Sequence, residues 1–206
     1  GEYLALSNPA AEIVDSVGKA YPRQDLFHSY GRVGAGGEWA HMPNPTPGAP
    51  NQGPYLWAMA AKPLVRPEAG FHAGPVRVQI ACFTPGAEIR YTTDGSEPTL
   101  GSGVRYGGEF LLTRSAVVRA RAFHAEWVPS DCVTRTFLIG EPAEMASLPV
   151  LSIAGDPRKS IYGPEGIFAV QGGSFNADEA WVPDSLDDYH MAFNHGEAGE
   201  RPVSVE

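Results

Sequence analysis

Cysteine is scarce in this chain: 206 residues carry Cys82 and Cys132 and no others. Two cysteines exclude a disulfide framework and, with no histidine partners nearby, a thiolate zinc site. They leave open a single bridge between two strand regions in an oxidising compartment, or two free thiols packed as small hydrophobes. Long apolar runs are missing as well. Nothing approaches the ~18 residues of a membrane span, and Gly1 is not followed by the basic and apolar regions of a signal peptide. A basic surplus is also lacking. The formal charge is −9, of which residues 1–61 contribute −2, residues 62–140 +2 and residues 141–206 −9. No segment can therefore attract a nucleic-acid backbone, and the acidic last third reads as a solubilising face rather than a cation trap. Catalytic signatures are equally absent. There is no Gly-x-Ser-x-Gly elbow and no evident nucleophile–base pair. Paired carboxylates cannot be chosen from twenty-four acids by sequence spacing alone.

Turn formers, by contrast, are plentiful, with 24 Gly and 19 Pro against 43% apolar residues. That balance suits short strands joined by tight turns around a modest core. The most organised stretch is Thr84-Pro-Gly-Ala-Glu-Ile-Arg-Tyr-Thr-Thr-Asp-Gly-Ser-Glu-Pro-Thr99. It predicts a strand from Glu88 to Thr93, with Ile89, Tyr91 and Thr93 on one face and Arg90 and Thr92 on the other. Asp94-Gly95 then turns the chain, because Asp94 accepts backbone hydrogen bonds and Gly95 tolerates positive φ. Pro98 stops the segment beyond from continuing as a central strand.

The same period appears around it. Val76, Val78, Ile80 and Cys82 alternate with Arg77, Gln79 and Ala81, and Val118, Ala120 and Ala122 alternate with Arg119 and Arg121. Glu109–Leu112 and Val133–Ile139 complete the set, which argues an all-β sandwich over residues 65–140. The outward Arg77, Arg90, Arg119 and Arg121 are expected to pair across strands with Glu88 or Glu109. Tyr-Thr-Thr-Asp-Gly-Ser-Glu-Pro-Thr, with the preceding Thr-Pro-Gly-Ala, Tyr106, Arg-Ala-Arg-Ala and Pro129-Ser130, resembles the chitobiase and hexosaminidase C-terminal domain. That resemblance implies a fibronectin type III-like accessory module without catalysis of its own.

Residues 1–51 predict a hairpin, Glu2–Leu6 and Glu12–Val17 across Ser-Asn-Pro-Ala, followed by irregular chain. A dinucleotide loop requires a strand before it and a helix after, but a proline-rich run follows Gly31-Arg-Val-Gly34-Ala-Gly36, so its glycines read as loop conformers. Gly-Glu-Tyr-Leu-Ala-Leu, Val-Asp-Ser-Val, Ser-Tyr-Gly-Arg, Glu-Trp and Pro-Thr-Pro-Gly-Ala-Pro-Asn resemble the C-terminal half of a lamin-tail-type immunoglobulin-like sandwich. Residues 52–64 read as a linker whose Tyr55–Ala61 patch is a helical turn or a first strand, with Trp57 and Met59 packing at a domain junction.

Over residues 141–206, Leu148–Ile153, Gly166–Val170 and Arg201–Glu206 predict strands around the polar, loop-like or briefly helical Asn176–Met191. Leu-Pro-Val-Leu-Ser-Ile, Gly-Ile-Phe and Glu-Arg-Pro-Val-Ser-Val-Glu resemble the opening strands of the CotH-type atypical kinases. The nucleotide- and metal-binding residues of that family would lie beyond this stretch. The fold expected is therefore all-β, with immunoglobulin/fibronectin III-like sandwich modules in tandem and a partial third domain.

Candidate sites are few. Asp184, Asp187, Asp188, His190 and His195 offer mixed oxygen and imidazole ligands of the kind that hold Ca²⁺, although a solvated acidic loop explains the same residues without a metal. Trp127 could stack on a sugar ring or simply close the edge of the sandwich. No cofactor other than Ca²⁺ suggests itself. The combined expectation is a non-catalytic spacer or adhesion segment of a longer secreted or cell-surface bacterial protein. Its partners would be neighbouring domains of the same chain, a surface protein or a glycan. Two alternatives are the approach to a CotH-like kinase domain and a carbohydrate-binding module.

Overall fold

The computed structural model describes residues 3–18, 21–24, 28–34, 36–156, 160–161, 166, 173–178, 181–183, 200–201 and 203–206. The chain forms two compact units, one of residues 1–60 with 124–129, the other of residues 61–123 with 130–206.

In the first unit, β1 (Ala5–Ser7) and β2 (Ile13–Ser16) form an antiparallel hairpin. Asn8 builds its turn by accepting hydrogen bonds from the backbone N–H of Ala10 and Glu12, both at 3.0 Å. The segment read as irregular is a second hairpin. Here β3 (Ser29–Arg32) pairs antiparallel with β4 (Trp39–Met42). The glycine cluster is the connection between them, with Gly34 and Gly36 at φ 65° and 79°. A strand follows it rather than a helix, which confirms the loop reading. The other edge of β4 is also occupied, since His41 exchanges two 2.8 Å backbone hydrogen bonds with Leu56. Ala40, His41 and Met42 are accordingly all buried. The apolar patch after Gly53 is a strand, β5 (Ala58–Met59), and it runs parallel to Trp127–Val128.

The second unit holds the sandwich. Its strands are β6 (Leu64–Arg66), β7 (Gly70–His72), β8 (Val76–Ala81), β9 (Glu88–Thr92), β10 (Val104–Arg105), β11 (Phe110–Leu112), β12 (Ala116–Phe123) and β14 (Val133–Ile139). The intervening β13 (Trp127–Val128) is the partner of β5. One sheet has the order β10-β9-β12-β14-β7 and the other β11-β8-β6. Their inward faces meet in one core, where Val65, Val76, Val78, Ile80 and Leu112 oppose Val118, Ala120, Val133 and Phe137. Along β8 burial alternates strictly, with Val76, Val78 and Ile80 inward and Arg77, Gln79 and Ala81 outward. Each fully buried Val or Phe in such a core contributes about 1.5–3 kcal/mol. The small side chains of β12 let Phe137, opposite Ala116, fill the space between the sheets at zero exposure.

After the sandwich come a one-turn α1 (Ala143–Ala146) and, among the described residues, two small strand pairings. Leu148 and Leu151 are exposed, and the predicted apolar strand there is reduced to β15 (Ile153–Ala154), which pairs with β18 (Ser204–Val205). β16 (Gly173–Phe175) and β17 (Trp181–Pro183) pair antiparallel, the second of them inside the stretch read as loop-like or briefly helical. Of the predicted strand Gly166–Val170, all but Gly166 lies outside the described residues.

The β15/β18 pair is tied to β14 by side chains. Thr134 Oγ1 donates to Ser204 Oγ at 2.8 Å, the hydroxyls of Thr136 and Ser152 lie 2.7 Å apart, and the Glu206 carboxylate accepts the Thr136 N–H at 2.7 Å. That N–H lies one residue before β7 begins to pair with β14, at Phe137. Glu206 thus satisfies a strand edge that would otherwise stay open.

Candidate functional site

The Asp94 turn sits just past the C-terminal end of β9, in the larger five-stranded sheet. Asp94 Oδ1 accepts the Ser96 N–H at 3.0 Å and its hydroxyl at 2.6 Å, while Thr92 Oγ1 donates to the Ser96 carbonyl at 2.6 Å. Thr92 is therefore buried although it lies on the face away from the core, and the strand ends there rather than at Thr93. Thr99 and Ser102 close the next turn through hydroxyls 2.8 Å apart. Gly103 allows β10 to begin: it has φ 82°, and a Cβ would stand 2.8 Å from the Tyr91 carbonyl.

Beside these turns lies a cavity of about 650 Å³, lined by Ser96, Thr99, Ser102, Arg119, Arg201 and Ser204, with Glu97 and Asp156 among its walls. The grooves elsewhere measure about 290 Å³ against the β1/β2 hairpin and about 300 Å³ beside Tyr106 and Glu109. Arg119 and Arg121 do project away from the core, as expected, but neither pairs with Glu88 or Glu109. Arg121 reaches Glu97 at 2.9 Å and the Ser130 carbonyl at 2.7 Å, because β12 runs past the turn that carries Glu97. Arg119 Nη1 donates to the Gly95 carbonyl at 3.2 Å, and its Nε is buried without an acceptor.

The other outward arginines follow the expected pattern. Arg77 meets Glu109 at 2.9 Å, with Gln79 on the second carboxylate oxygen at 2.8 Å, and these contacts lower the Glu109 pKa, Gln79 contributing most. Arg90 pairs with Glu88, which Arg105 also approaches at 3.4 Å. Arg135, which the sequence did not single out, pairs with Glu206 at 3.3 Å and Glu68 at 3.4 Å.

Both cysteines are free thiols. Cys82 falls just past β8; its Sγ donates to the Ala61 carbonyl at 3.1 Å and accepts from the Thr84 N–H at 3.4 Å. Cys132 lies just before β14 rather than in a strand, and burial pushes its thiol pKa up. Trp127 is half-buried in β13, 5.1 Å from the His124 ring and paired to Ala58. Trp57 is 47% exposed. The metal candidates Asp184, Asp187, Asp188 and His190, with His195, lie outside the described residues. Among the described residues no group of three or more His, Cys, Asp or Glu side chains could hold a metal ion.

Two facing sheets, one of five strands and one of three, around a single aliphatic core define an immunoglobulin/fibronectin III-like β-sandwich module. Residues 67–134 of the chain match the family of the chitobiase/beta-hexosaminidase C-terminal domain. The match runs from just before β7 to the start of β14, and the matched family is a non-catalytic C-terminal domain. No curated protein and no solved structure matches the chain.

Proposed function

We propose that the chain is a non-catalytic spacer or adhesion-supporting segment of a larger secreted or cell-surface bacterial protein. The sandwich around residues 65–140 would set the distance between neighbouring domains. One observation carries this reading. Apart from Arg119, the outward arginines that the sequence singled out are committed to carboxylates of the same unit, as is Arg105: Arg77 to Glu109, Arg90 and Arg105 to Glu88, Arg121 to Glu97. A face already neutralised by its own side chains suits an inert strut better than a charged recognition surface. In this reading residues 1–51 close a lamin-tail-like sandwich upstream and residues 141–206 open a CotH-like domain downstream. The test is made in the longer protein. Combined replacement of Arg77, Arg90 and Arg105 by Gln should leave its surface attachment intact, whereas deleting residues 61–206 should abolish it. Loss of attachment in the folded triple variant would overturn the proposal.

A further inference from the structure

The stretch that joins β14 to β15 is held at both ends and free in between. Residues 142–151 are ten successive exposed positions, the longest such run among the described residues. Among the described residues, its hydrogen bonds stay inside it, with the amides of Met145, Ser147 and Leu148 donating to the carbonyls of Pro142, Glu144 and Met145. After the single turn of α1 the chain is neither helix nor strand until Ile153. Pro149 disfavours the helical conformation at Leu148 and so helps to end that turn. The side chains that follow are aliphatic and open to water, Leu148 at 63% and Leu151 at 70% exposure. Val150 borders a groove of about 220 Å³ beside Phe71 and Leu138.

The two ends are fixed to the sandwich. Upstream, the Gly140 N–H donates to the His72 carbonyl at 2.9 Å and the Ile139 N–H to Ser115 Oγ at 2.8 Å. Downstream, Ser152 exchanges two 2.9 Å backbone hydrogen bonds with Glu206, and its hydroxyl lies 2.7 Å from that of Thr136 in β14. Ala154, two residues on, is 5% exposed. An endopeptidase draws an extended segment into its cleft, so it cuts a folded chain where backbone is exposed and not tied into a ladder. Residues 147–151 offer that without unfolding. No Lys or Arg lies between Arg135 and Arg158, so the specificity this segment fits is aliphatic and not basic.

We propose that residues 147–151 are a processing site for an endopeptidase selective for aliphatic side chains. Hydrolysis breaks one peptide C–N bond, and water supplies the hydroxyl of the new carboxyl and the hydrogen of the new amine. The Thr136 and Thr134 contacts of Ser152, Ser204 and Glu206 all lie downstream of the cut, so the two products stay joined across β14. The proposal goes beyond the spacer reading and does not rest on it, since the cut leaves residues 61–140 whole.

Limited proteolysis of the full chain with thermolysin, which cuts on the amino side of aliphatic residues, tests it, the cuts being located by mass spectrometry. Cleavage within residues 147–151 should accumulate before any cut between residues 64 and 139, at a rate that low urea leaves unchanged. Combined Leu148→Asp, Val150→Asp and Leu151→Asp should slow that cleavage at least about tenfold. Leu6→Asp, at a side chain just as exposed but in a paired strand, should leave it unchanged. The nicked chain should elute with the intact one on gel filtration and part into two pieces in denaturant. The proposal is overturned if the sandwich strands are cut first, or if low urea accelerates the cleavage as unfolding would. It is equally overturned if the triple variant is cut as fast as the wild type, or if the nicked products separate without denaturant.

Discussion

Two sets of strands in this chain carry the same kind of alternating sequence and meet different fates. In β8, Val76, Val78 and Ile80 are almost completely buried against the opposite sheet. In the β1/β2 hairpin, Leu6, Ile13 and Val14 remain 57–65% exposed. Alternation specifies that a strand forms and which side chains share a face. Whether that face becomes a core depends on a second sheet arriving opposite it, which is a property of the whole topology. The stability of the chain should therefore be concentrated in the sandwich.

The sharpest way to break the comparison is to truncate equivalent apolar groups in the two regions. Phe137→Ala empties a fully buried ring position between the sheets and should cost about 3–5 kcal/mol. Leu6→Ala removes a side chain that is 65% exposed and should change stability by less than about 0.5 kcal/mol. Urea unfolding of both variants, followed by tryptophan fluorescence and far-UV circular dichroism, measures the difference. Comparable losses would mean that the hairpin is buried in solution.

A smaller effect is expected where a polar group closes the sandwich. Ser130 is 1% exposed; its Oγ accepts the Ala122 N–H at 2.9 Å and donates to the Asp131 carbonyl at 2.8 Å. Ser130→Ala leaves the amide of a central strand without that acceptor and should destabilise by about 1–3 kcal/mol. Ser16→Ala, at the half-buried end of β2, should be within about 0.5 kcal/mol of neutral by the same assay.

The sandwich was readable in the sequence because its long strands repeat with period two. The predicted Ala116–Phe123 and Val133–Ile139 are the strands β12 and β14, and the turn at Asp94-Gly95 forms through the Asp94 side chain as its chemistry dictates. Strands without that period were not readable. Ser29–Arg32 has an arginine where alternation from Tyr30 would place an apolar residue, and it is held by pairing with Trp39–Met42 rather than by a buried face of its own. Leu148–Ile153 erred in the other direction, since apolar content there met no facing sheet. The outward cations were legible as a class but not by partner: Arg121 takes Glu97 from a turn distant in sequence. The cavity was not legible at all. Its walls come from the Ser96–Ser102 turns, the middle of β12 and the stretch around Ser204, and no local motif announces segments that only the fold brings together.

The contacts tying Glu206 to the sandwich give a further, milder test. Its side chain, 18% exposed, bonds the Thr136 amide and Arg135. Glu206→Ala should cost about 1–2 kcal/mol and raise amide hydrogen exchange at Thr136 and along Ile153–Ala154, leaving Val78 and Val118 protected. Uniform exchange across all four sites would show that β15/β18 and the sandwich unfold as one unit.

The smallest effects concern two carboxylates, one in each region. Asp15 is held below its ordinary pKa of 3.8, chiefly by its hydrogen bonds from Arg32. Glu109 is held below 4.5, chiefly by the Gln79 amide and next by Arg77. Lowered folded-state values mean that each group stabilises the native state fully above its unfolded pKa. That contribution fades as the pH falls below about 4 and is gone once the pH passes below the folded value. Both side chains are solvent-accessible, so the effect on unfolding will be slight and is best read at the residues themselves. Side-chain carboxyl ¹³C titration should find both groups below their ordinary values. Raising the salt concentration should bring Asp15 back toward 3.8 more than it moves Glu109 toward 4.5, because screening weakens a charge pair more than a hydrogen bond from a neutral amide. Gln79→Ala should then raise the Glu109 value more than Arg77→Ala does. The reverse order would show that charge, and not the amide, sets this carboxylate, and that the two regions hold their surface acids by the same means.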